Sequence, residues 1–206
     1  MKKIILTLCL FIPLIGFSQV EIDKMLDEAK AYAKEEKYSL ATASLQEAIN
    51  KLNDEIGKQL LNNMPSAVDQ MSYAKENDNV TSIGTMMGAG FTASRVYQGE
   101  SGKTLNVSIM PNSPQADAIQ MFFDNPQDYG VENDAGHTIK IQDRNALVKF
   151  SDDEEDEYAY AQMVIQRALV TFSAQGYESE KKFVEAVNQI DLNKLAKALG
   201  AKDDKN

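Results

Sequence analysis

The chain predicts an α+β fold, in which an N-terminal antiparallel helical hairpin precedes a twisted antiparallel sheet of five to six strands covered by helices on one face. Over residues 21–61, apolar residues recur at the spacing of one helix face. From Val80 onward they alternate with polar residues, as in strands. Loops between the later strands are short, which favours antiparallel pairing, and the helices come in blocks rather than after each strand.

The first 18 residues have the features of a secretory signal peptide. Two lysines precede an apolar run over residues 4–15, and small residues through Ser18 form a cleavage site before Gln19. The run is too short to cross a bilayer, and a charged segment follows it at once. We therefore expect an exported mature chain without a transmembrane segment, located in the periplasm of a bacterial cell envelope or secreted.

The single cysteine, Cys9, lies inside this leader. A lipoprotein would carry its lipid on Cys9, but the apolar stretch before that residue is short and an apolar tail follows it. Cleavage after Ser18 leaves a mature chain without cysteine, which excludes disulfides, thiolate metal sites and cysteine nucleophiles. The fold must then rely on its core.

The formal net charge of −10 bears on the possible partners. An acidic chain repels phosphate groups, so nucleic acids and anionic lipid surfaces are not expected partners. The length allows one domain and an appendage. We divide the chain into a signal peptide (1–18), a helical hairpin (19–63), an α+β sheet domain (64–200) and a disordered tail (201–206).

The hairpin is predicted from two apolar stripes separated by the charged segment 34–37. Pro65 disfavours helix at the residue before it and marks the end of the helices. Residues 66–75 predict a helical turn or an irregular segment. The stripe of the second helix consists of Tyr38, Ala41, Leu45, Ala48, Ile49, Leu52 and Ile56.

Residues 25–53 of these helices resemble one tetratricopeptide-like helical hairpin. Ala29-x-x-Tyr32 and Ala41-x-x-x-Leu45 stand where that repeat carries its small and large packing residues. A single repeat cannot bury its apolar face alone, so the resemblance implies packing on the following domain or contact with a partner. A plain helical hairpin is the alternative.

The sheet domain begins with a predicted β-hairpin. Residues 91–97 and 104–110 form its strands, with a glycine-containing turn at 99–102. Pro114 then begins a helix that ends before Pro126.

The second half of the domain predicts two more pairs of strands and two C-terminal helices, the last one capped by Asp191. These strands are residues 137–141, 146–150, 158–165 and 168–172, and the helices are residues 178–190 and 191–199.

Three short motifs carry a second resemblance. They are Gly88-x-Gly90-x-x-Ala93-Ser94-Arg95-x-Tyr97, Ser113-Pro114 and Asn145-Ala146-Leu147-Val148-Lys149. Through them the sheet domain is similar to an uncharacterised exported bacterial α+β family. No activity is assigned to that family, so the resemblance implies a fold and a compartment but no chemistry.

The glycine-rich start of the first long strand is the sharpest local feature. Gly88-x-Gly90 would allow a ligand to approach the backbone closely. It lacks the preceding strand, the following helix and the lysine of nucleotide-binding loops. A glycine-rich strand start or a bulge at a sheet edge is the alternative.

Arg95 and Tyr97 lie two residues apart on a predicted strand and therefore share a face. An outward-facing arginine there would anchor a carboxylate or a loop of a partner. Arg167, in the turn of a later hairpin, is a second candidate of this kind. The alternative for both is an ion pair with a neighbouring segment.

A small apolar ligand held between the sheet and the helices gives another hypothesis, a carrier or sensor. Its binding residues would be Phe91, Tyr97, Met121 and Phe122. Core packing is the alternative for these residues.

An acidic run offers weak candidates for a divalent metal site, namely Asp152, Asp153, Glu154 and Glu155. The run has no glycine and no alternation of ligand positions, so a solvated loop is the alternative.

His137 is the only histidine. Asp134 and Asp143 flank it in the sequence, but no motif establishes a catalytic triad, and a turn residue is the alternative. An enzyme that uses these two carboxylates is the third hypothesis. We expect no catalysis and no cofactor, and a function in non-covalent binding of an envelope protein partner.

Overall fold

The structure is a computed structural model that describes residues 16–83, 90–125, 136–151 and 158–201. Within these ranges the chain forms helices and one antiparallel sheet. The helices are α1 (Gly16–Lys34), α2 (Tyr38–Asn63), α3 (Pro114–Asp124), α4 (Glu180–Val187) and α5 (Leu192–Ala198). The strands are β1 (Ala67–Val68), β2 (Met71–Tyr73), β3 (Asn79–Ile83), β4 (Gly90–Gln98), β5 (Thr104–Met110), β6 (His137–Ile141), β7 (Arg144–Ser151), β8 (Tyr158–Ile165) and β9 (Ala168–Gln175).

The predicted α+β fold is confirmed, but the sheet is larger than the five to six strands expected. It has nine strands in the described ranges. The additional strands are β1 and β2, in the segment predicted to be a helical turn or irregular, and β3, which begins where the strand-like alternation was expected to start but was not predicted as a separate strand. They are short, and the turn between β1 and β2 lacks glycine, so the usual sequence signals of a hairpin are missing.

Three hairpins turn through pairs of non-glycine residues in the left-handed region. All six residues have φ between 47° and 64°. Two-residue hairpin turns of this kind need positive φ at both residues, because the twist of the turn then matches the twist of the two strands that it joins. These pairs are Asp69-Gln70, Gln142-Asp143 and Gln166-Arg167.

The strand order is β1-β2-β4-β5-β9-β8-β7-β6, with β3 also paired to β4. Strands β2 and β3 lie end to end along the same edge of β4. Strand β2 pairs with Tyr97 and Gln98, and β3 pairs with residues 90–94. A short 3-10 turn at Lys75–Asn77 separates β2 from β3, so Arg95 lies opposite the interruption.

Alternate residues of the central strands point to one face of the sheet and form the core. Val107 of β5 and Phe172 of β9 are directly opposite each other and fully buried. Phe183 of α4 and Leu195 of α5 belong to the same cluster, as does Leu60 of α2. Burial of these side chains stabilises the helices on this face of the sheet.

Helix α3 contacts β8 and β9. Leu169 neighbours Val170 on β9 and therefore points to the opposite face of the sheet from the core cluster. Leu169 is nevertheless buried, and so is Ala116 of α3. The helix therefore covers a part of the second face of the sheet.

Side-chain caps fix where three of the helices begin. Ser113 and Ser179 each accept a hydrogen bond from a backbone N–H in the first turn, of α3 and α4 respectively. Asp191 accepts two such bonds, from Asn193 and Lys194, which confirms it as the N-cap of α5.

The side chain of Gln142 ties the β6–β7 turn to the segment between α4 and α5. Its Nε2 donates to the carbonyls of Asn188 and Ile190, and its Oε1 accepts from the N–H of Leu192. These bonds satisfy backbone groups at the helix ends, which would otherwise lack partners.

The chain divides into two compact units, Met1–Leu52 and Asn53–Asn206. The sequence placed the boundary after residue 63, at the end of the helices. The structure places it inside α2 because Leu60 and Leu61, in the last turns of that helix, are buried in the core of the second unit.

In the first unit, α1 and the N-terminal part of α2 form the predicted helical hairpin. The most buried residues of this hairpin are small ones, namely Ala29, Ala41, Ser44 and Ala48, and not the large apolar residues of α2. The expected cleavage point before Gln19 falls within the described range of α1, Gly16–Lys34. No described helix is long and apolar enough to cross a membrane.

The buried end of α2 generates a stability prediction. Leu60→Ala is expected to lower the free energy of unfolding by about 2–5 kcal/mol, because it leaves a cavity in the core. Urea unfolding followed by circular dichroism measures this change. The matched control is Leu45→Ala, whose side chain is 46% exposed and whose loss should cost less than about 1 kcal/mol. Equal losses for both variants would contradict the assignment of the end of α2 to the sheet domain.

Candidate functional site

Arg95 lies on the inward face of β4, together with Phe91, Ala93 and Tyr97. It is 3% exposed, and its position faces the gap between β2 and β3. An arginine is rarely buried to this extent unless other groups pair with it. The contacts of the guanidinium therefore decide whether it is a binding group or a structural one.

Four of the five N–H donors of the Arg95 guanidinium have an acceptor, and an aromatic ring stacks on its plane. Its Nε donates to Asp78 Oδ1 at 2.8 Å and its Nη2 donates to Asp78 Oδ2 at 2.5 Å. Its Nη1 donates to the carbonyls of Met64 and Pro65 at 3.2 and 3.4 Å. The Cζ lies 3.6 Å from the centroid of the Tyr73 ring. This combination of a two-pronged ion pair, carbonyl contacts and a stacked ring requires the planar fork of arginine.

Tyr97 extends the same network. Its hydroxyl donates to the Pro65 carbonyl at 2.8 Å, and its ring meets that of Tyr73 edge-on, with centroids 6.3 Å apart. Burial raises the pKa of Tyr97 to about 12, although the neighbouring Arg95 acts in the opposite direction. The tyrosine is therefore a neutral donor at ordinary pH.

The Arg95 cluster joins the end of α2 to the sheet and uses four of the five N–H donors of the guanidinium. Burial lowers the pKa of Arg95, but the Asp78 carboxylate outweighs this effect, and the net shift is upward. The side chain therefore remains charged. The binding hypothesis needed an outward-facing Arg95, and the side chain instead points inward. The alternative interpretation, an ion pair with a neighbouring segment, describes its contact with Asp78.

The residues predicted to hold an apolar ligand are not assembled into one site. Phe91 and Tyr97 are buried in the core cluster. Met121 and Phe122 lie on α3, outside that cluster, and Met121 is 54% exposed. Phe122 contacts the ring of Phe123, with centroids 5.7 Å apart.

Of the other sequence candidates, Gly90 and Arg167 lie on different elements, and the rest lie outside the described ranges. Gly90 is the first residue of β4 and pairs with Ile83. Arg167 lies in the β8–β9 turn, where its Nη2 is 3.9 Å from an Asp117 oxygen in an exposed ion pair. Gly88 and the acidic candidates Asp152, Asp153, Glu154 and Glu155 lie outside the described residues.

His137 begins β6 and contacts one carboxylate. Its Nε2 lies 3.1 Å from Glu180 Oε1, and both side chains are partly exposed. Within the described ranges, no three His, Cys, Asp or Glu side chains come together in a group suited to a metal ion. The contact of the histidine within the described ranges is therefore with a single carboxylate.

A groove lies on the outward face of the sheet, where the sequence analysis placed no site. We call it the sheet groove. It has a volume of about 340 Å³. It is lined by outward-facing residues of three adjacent strands: Thr104 and Asn106 of β5, Ser173 and Gln175 of β9, and Tyr158 and Tyr160 of β8. Ala159 and Ala174, which belong to the core cluster, also contribute to the lining. Strand order brings these residues together.

A second surface feature belongs to α2. Tyr38, Leu45, Ile49 and Leu52 are exposed and recur at spacings of seven, four and three residues, which places them on one side of the helix. We call this set the α2 apolar face. The sequence predicted this stripe, but the small residues of the stripe, Ala41 and Ala48, are the buried ones.

Comparison of the chain with protein-family models, with curated proteins and with solved structures found no match. The tetratricopeptide-like resemblance and the similarity to an exported α+β family therefore stay predictions from the sequence.

The raised pKa of Tyr97 generates a pH prediction. The folded state holds the tyrosine neutral, so its contribution is fully present below about pH 10 and is lost as the pH rises towards 12. We expect the free energy of unfolding to fall by at most about 3 kcal/mol from this group over that interval. Tyr177, whose pKa burial also raises, adds a fall of the same sign. Chemical unfolding at a series of pH values measures the slope.

Tyr97→Phe should flatten this fall, while the exposed control Tyr38→Phe should leave it as in the wild type. An unchanged slope in Tyr97→Phe would show that the hydroxyl is not held neutral by the fold.

Proposed function

We propose that this protein is an exported envelope protein that acts by non-covalent binding of a protein partner, without catalysis. The α2 apolar face is the binding surface in this proposal. The single observation that carries it is the exposure of Leu45, Ile49 and Leu52 on one side of a helix, at 46%, 38% and 44%.

The distribution of exposed apolar residues supports the choice of surface. Seven large hydrophobic side chains are exposed in the described part of the chain. Met121 lies on α3, and the other six lie on α1 and α2. Scattered exposed leucines are common, but a concentration on one helix is typical of an interaction site.

The form of the surface favours a protein over a small ligand. From Tyr38 to Leu52 the face extends about 20 Å along a helix, since each residue advances the helix by about 1.5 Å. Small molecules bind in concave pockets, whereas a helix with apolar residues at such spacings fits into the groove of another protein or against another helix. The net charge of −10 disfavours a nucleic acid.

Export is the other part of the proposal, and it rests on the leader over residues 1–18. Intact-mass spectrometry of the protein recovered from the cell envelope or the medium is the test. We expect a chain that begins at Gln19. An uncleaved Met1 or a lipid-bearing Cys9 at the amino terminus would contradict the expected processing.

Photo-crosslinking in the native host tests the partner surface. A photoreactive phenylalanine analogue replaces Ile49 in one protein and Asn50 in the other, because Asn50 is exposed but lies off the apolar face. We expect position 49 to give a discrete crosslink to a different protein, with little product from position 50. Equal products from both positions, no product, or a crosslink to a second copy of the chain would contradict the proposal.

A charge-substituted variant provides the second arm of this experiment. Leu45→Lys combined with Leu52→Lys should reduce the crosslink from position 49 about tenfold or more, because lysine keeps helix propensity but opposes burial. Met121→Lys is the matched control, since it replaces an equally exposed hydrophobic residue on α3. The same reduction in the control would show a general loss of structure instead of a loss of the binding surface.

A further inference from the structure

The sheet groove is separate from both the core and the α2 apolar face. It lies wholly within the second unit, and its lining comes from β5, β9 and β8. At about 340 Å³ it falls at the small end of the range for ligand sites, which is roughly 300–1,000 Å³. A small ligand is therefore the occupant to consider.

Differences in side-chain size along one row of the sheet form the groove. Asn106 pairs with Ser173, and Ser173 pairs with Tyr160. Outward-facing side chains of directly paired residues are neighbours, so the short serine lies between the amide and the tyrosine ring. The short side chains form a floor, and Tyr158 and Tyr160 form a wall.

The chemistry of the lining is polar without charge. Its side chains offer two phenols, two amides and two hydroxyls, and the described lining contains no Asp, Glu, Lys or Arg. One cation, Lys149, lies close to this lining, with its Nζ 5.4 Å from the Tyr158 ring centroid. A charged ligand would have no counter-charge at the floor, and an apolar one would leave the amides and hydroxyls without partners.

Asn106 adds an unsatisfied group at the floor. Its Oδ1 is enclosed and has no hydrogen-bond partner in the described structure. A buried acceptor without a donor costs free energy that a ligand hydroxyl would recover. Half a turn about χ2 exchanges the oxygen and the nitrogen, so the amide can present either an acceptor or a donor to the groove.

A peptide strand is a poor occupant of this site. Extended peptides bind sheets by pairing with an exposed edge. Strands β5, β9 and β8 are each paired on both sides, so the groove offers side chains but no free backbone ladder.

We propose that the sheet groove binds a neutral saccharide unit. The ring of Tyr160 packs against the C–H face of the sugar, while the Asn106 amide and the hydroxyls of Thr104 and Ser173 bond its hydroxyl groups. Such a ligand supplies both an apolar face and several donors and acceptors, which the lining requires. This site is independent of the proposed partner surface.

A nuclear magnetic resonance titration of the nitrogen-15-labelled mature chain tests the proposal. The probes are glucose, galactose, mannose, N-acetylglucosamine, maltose and cellobiose, each raised to about 50 mM, since single-sugar sites bind with millimolar constants. We expect at least one of them to shift backbone amides of β5, β8 and β9 selectively, with a dissociation constant of about 10 mM or below.

Variants locate the site. Tyr160→Ala and Asn106→Ala should each weaken binding about tenfold, and Ser173→Leu should abolish it by filling the groove. Tyr160→Phe keeps the ring and should retain most of the affinity. The matched control is Asn145→Ala, an outward asparagine of β7 away from the groove, which should bind as the wild type does. If an alanine variant does not fold, Ser173→Leu and Tyr160→Phe carry the test.

Three results would overturn the saccharide proposal. They are no amide shift with any of the six sugars, shifts confined to other strands, or binding of the amphiphilic dye anilinonaphthalene sulfonate at the groove without binding of any sugar. The Leu45→Lys and Leu52→Lys substitutions should leave the titration unchanged, so this test and the crosslinking test fail separately.

Discussion

The buried ion pair between Arg95 and Asp78 holds the second unit together where its helix, loop and sheet meet. The guanidinium bonds two carbonyls at the end of α2 and the carboxylate before β3, all from an inward position on β4. Removing one partner of such a pair leaves an uncompensated charge, which typically costs about 3–5 kcal/mol. The interruption between β2 and β3 is what gives the arginine access to these partners.

This cluster also marks the limit of inference from the sequence. The alternation over residues 91–97 predicted that Arg95 and Tyr97 share a face, and they do. Alternation alone does not say which face is buried, and the charge of arginine favoured the outward choice. The inward orientation of the Arg95 side chain is stable because it bonds Asp78 and the carbonyls of Met64 and Pro65. These groups come from segments 17 to 31 residues away in the chain.

The long strands, the helices and the N-cap Asp191 followed from local patterns, since each depends on neighbours in the chain. Strands β1–β3 did not, because they are short, and β2 and β3 depend on pairing with the edge of β4. The sheet groove could not be predicted from the sequence either, because Asn106, Ser173 and Tyr160 become neighbours only through the order of the strands in the sheet. The α2 apolar face was predicted as a stripe of apolar residues. Its exposure did not follow from the sequence, because small residues, and not the large ones of the stripe, fill the buried positions between the two helices.

Hydrogen exchange of Arg95→Lys, followed residue by residue, tests the central role of the ion pair most directly. Lysine keeps the charge but cannot bond the carboxylate and both carbonyls at once. The account predicts faster exchange of amides at the end of α2 and in β2 and β3, while β8 and β9 stay protected. Uniform acceleration across the sheet, or protection unchanged from the wild type at the end of α2, would contradict it.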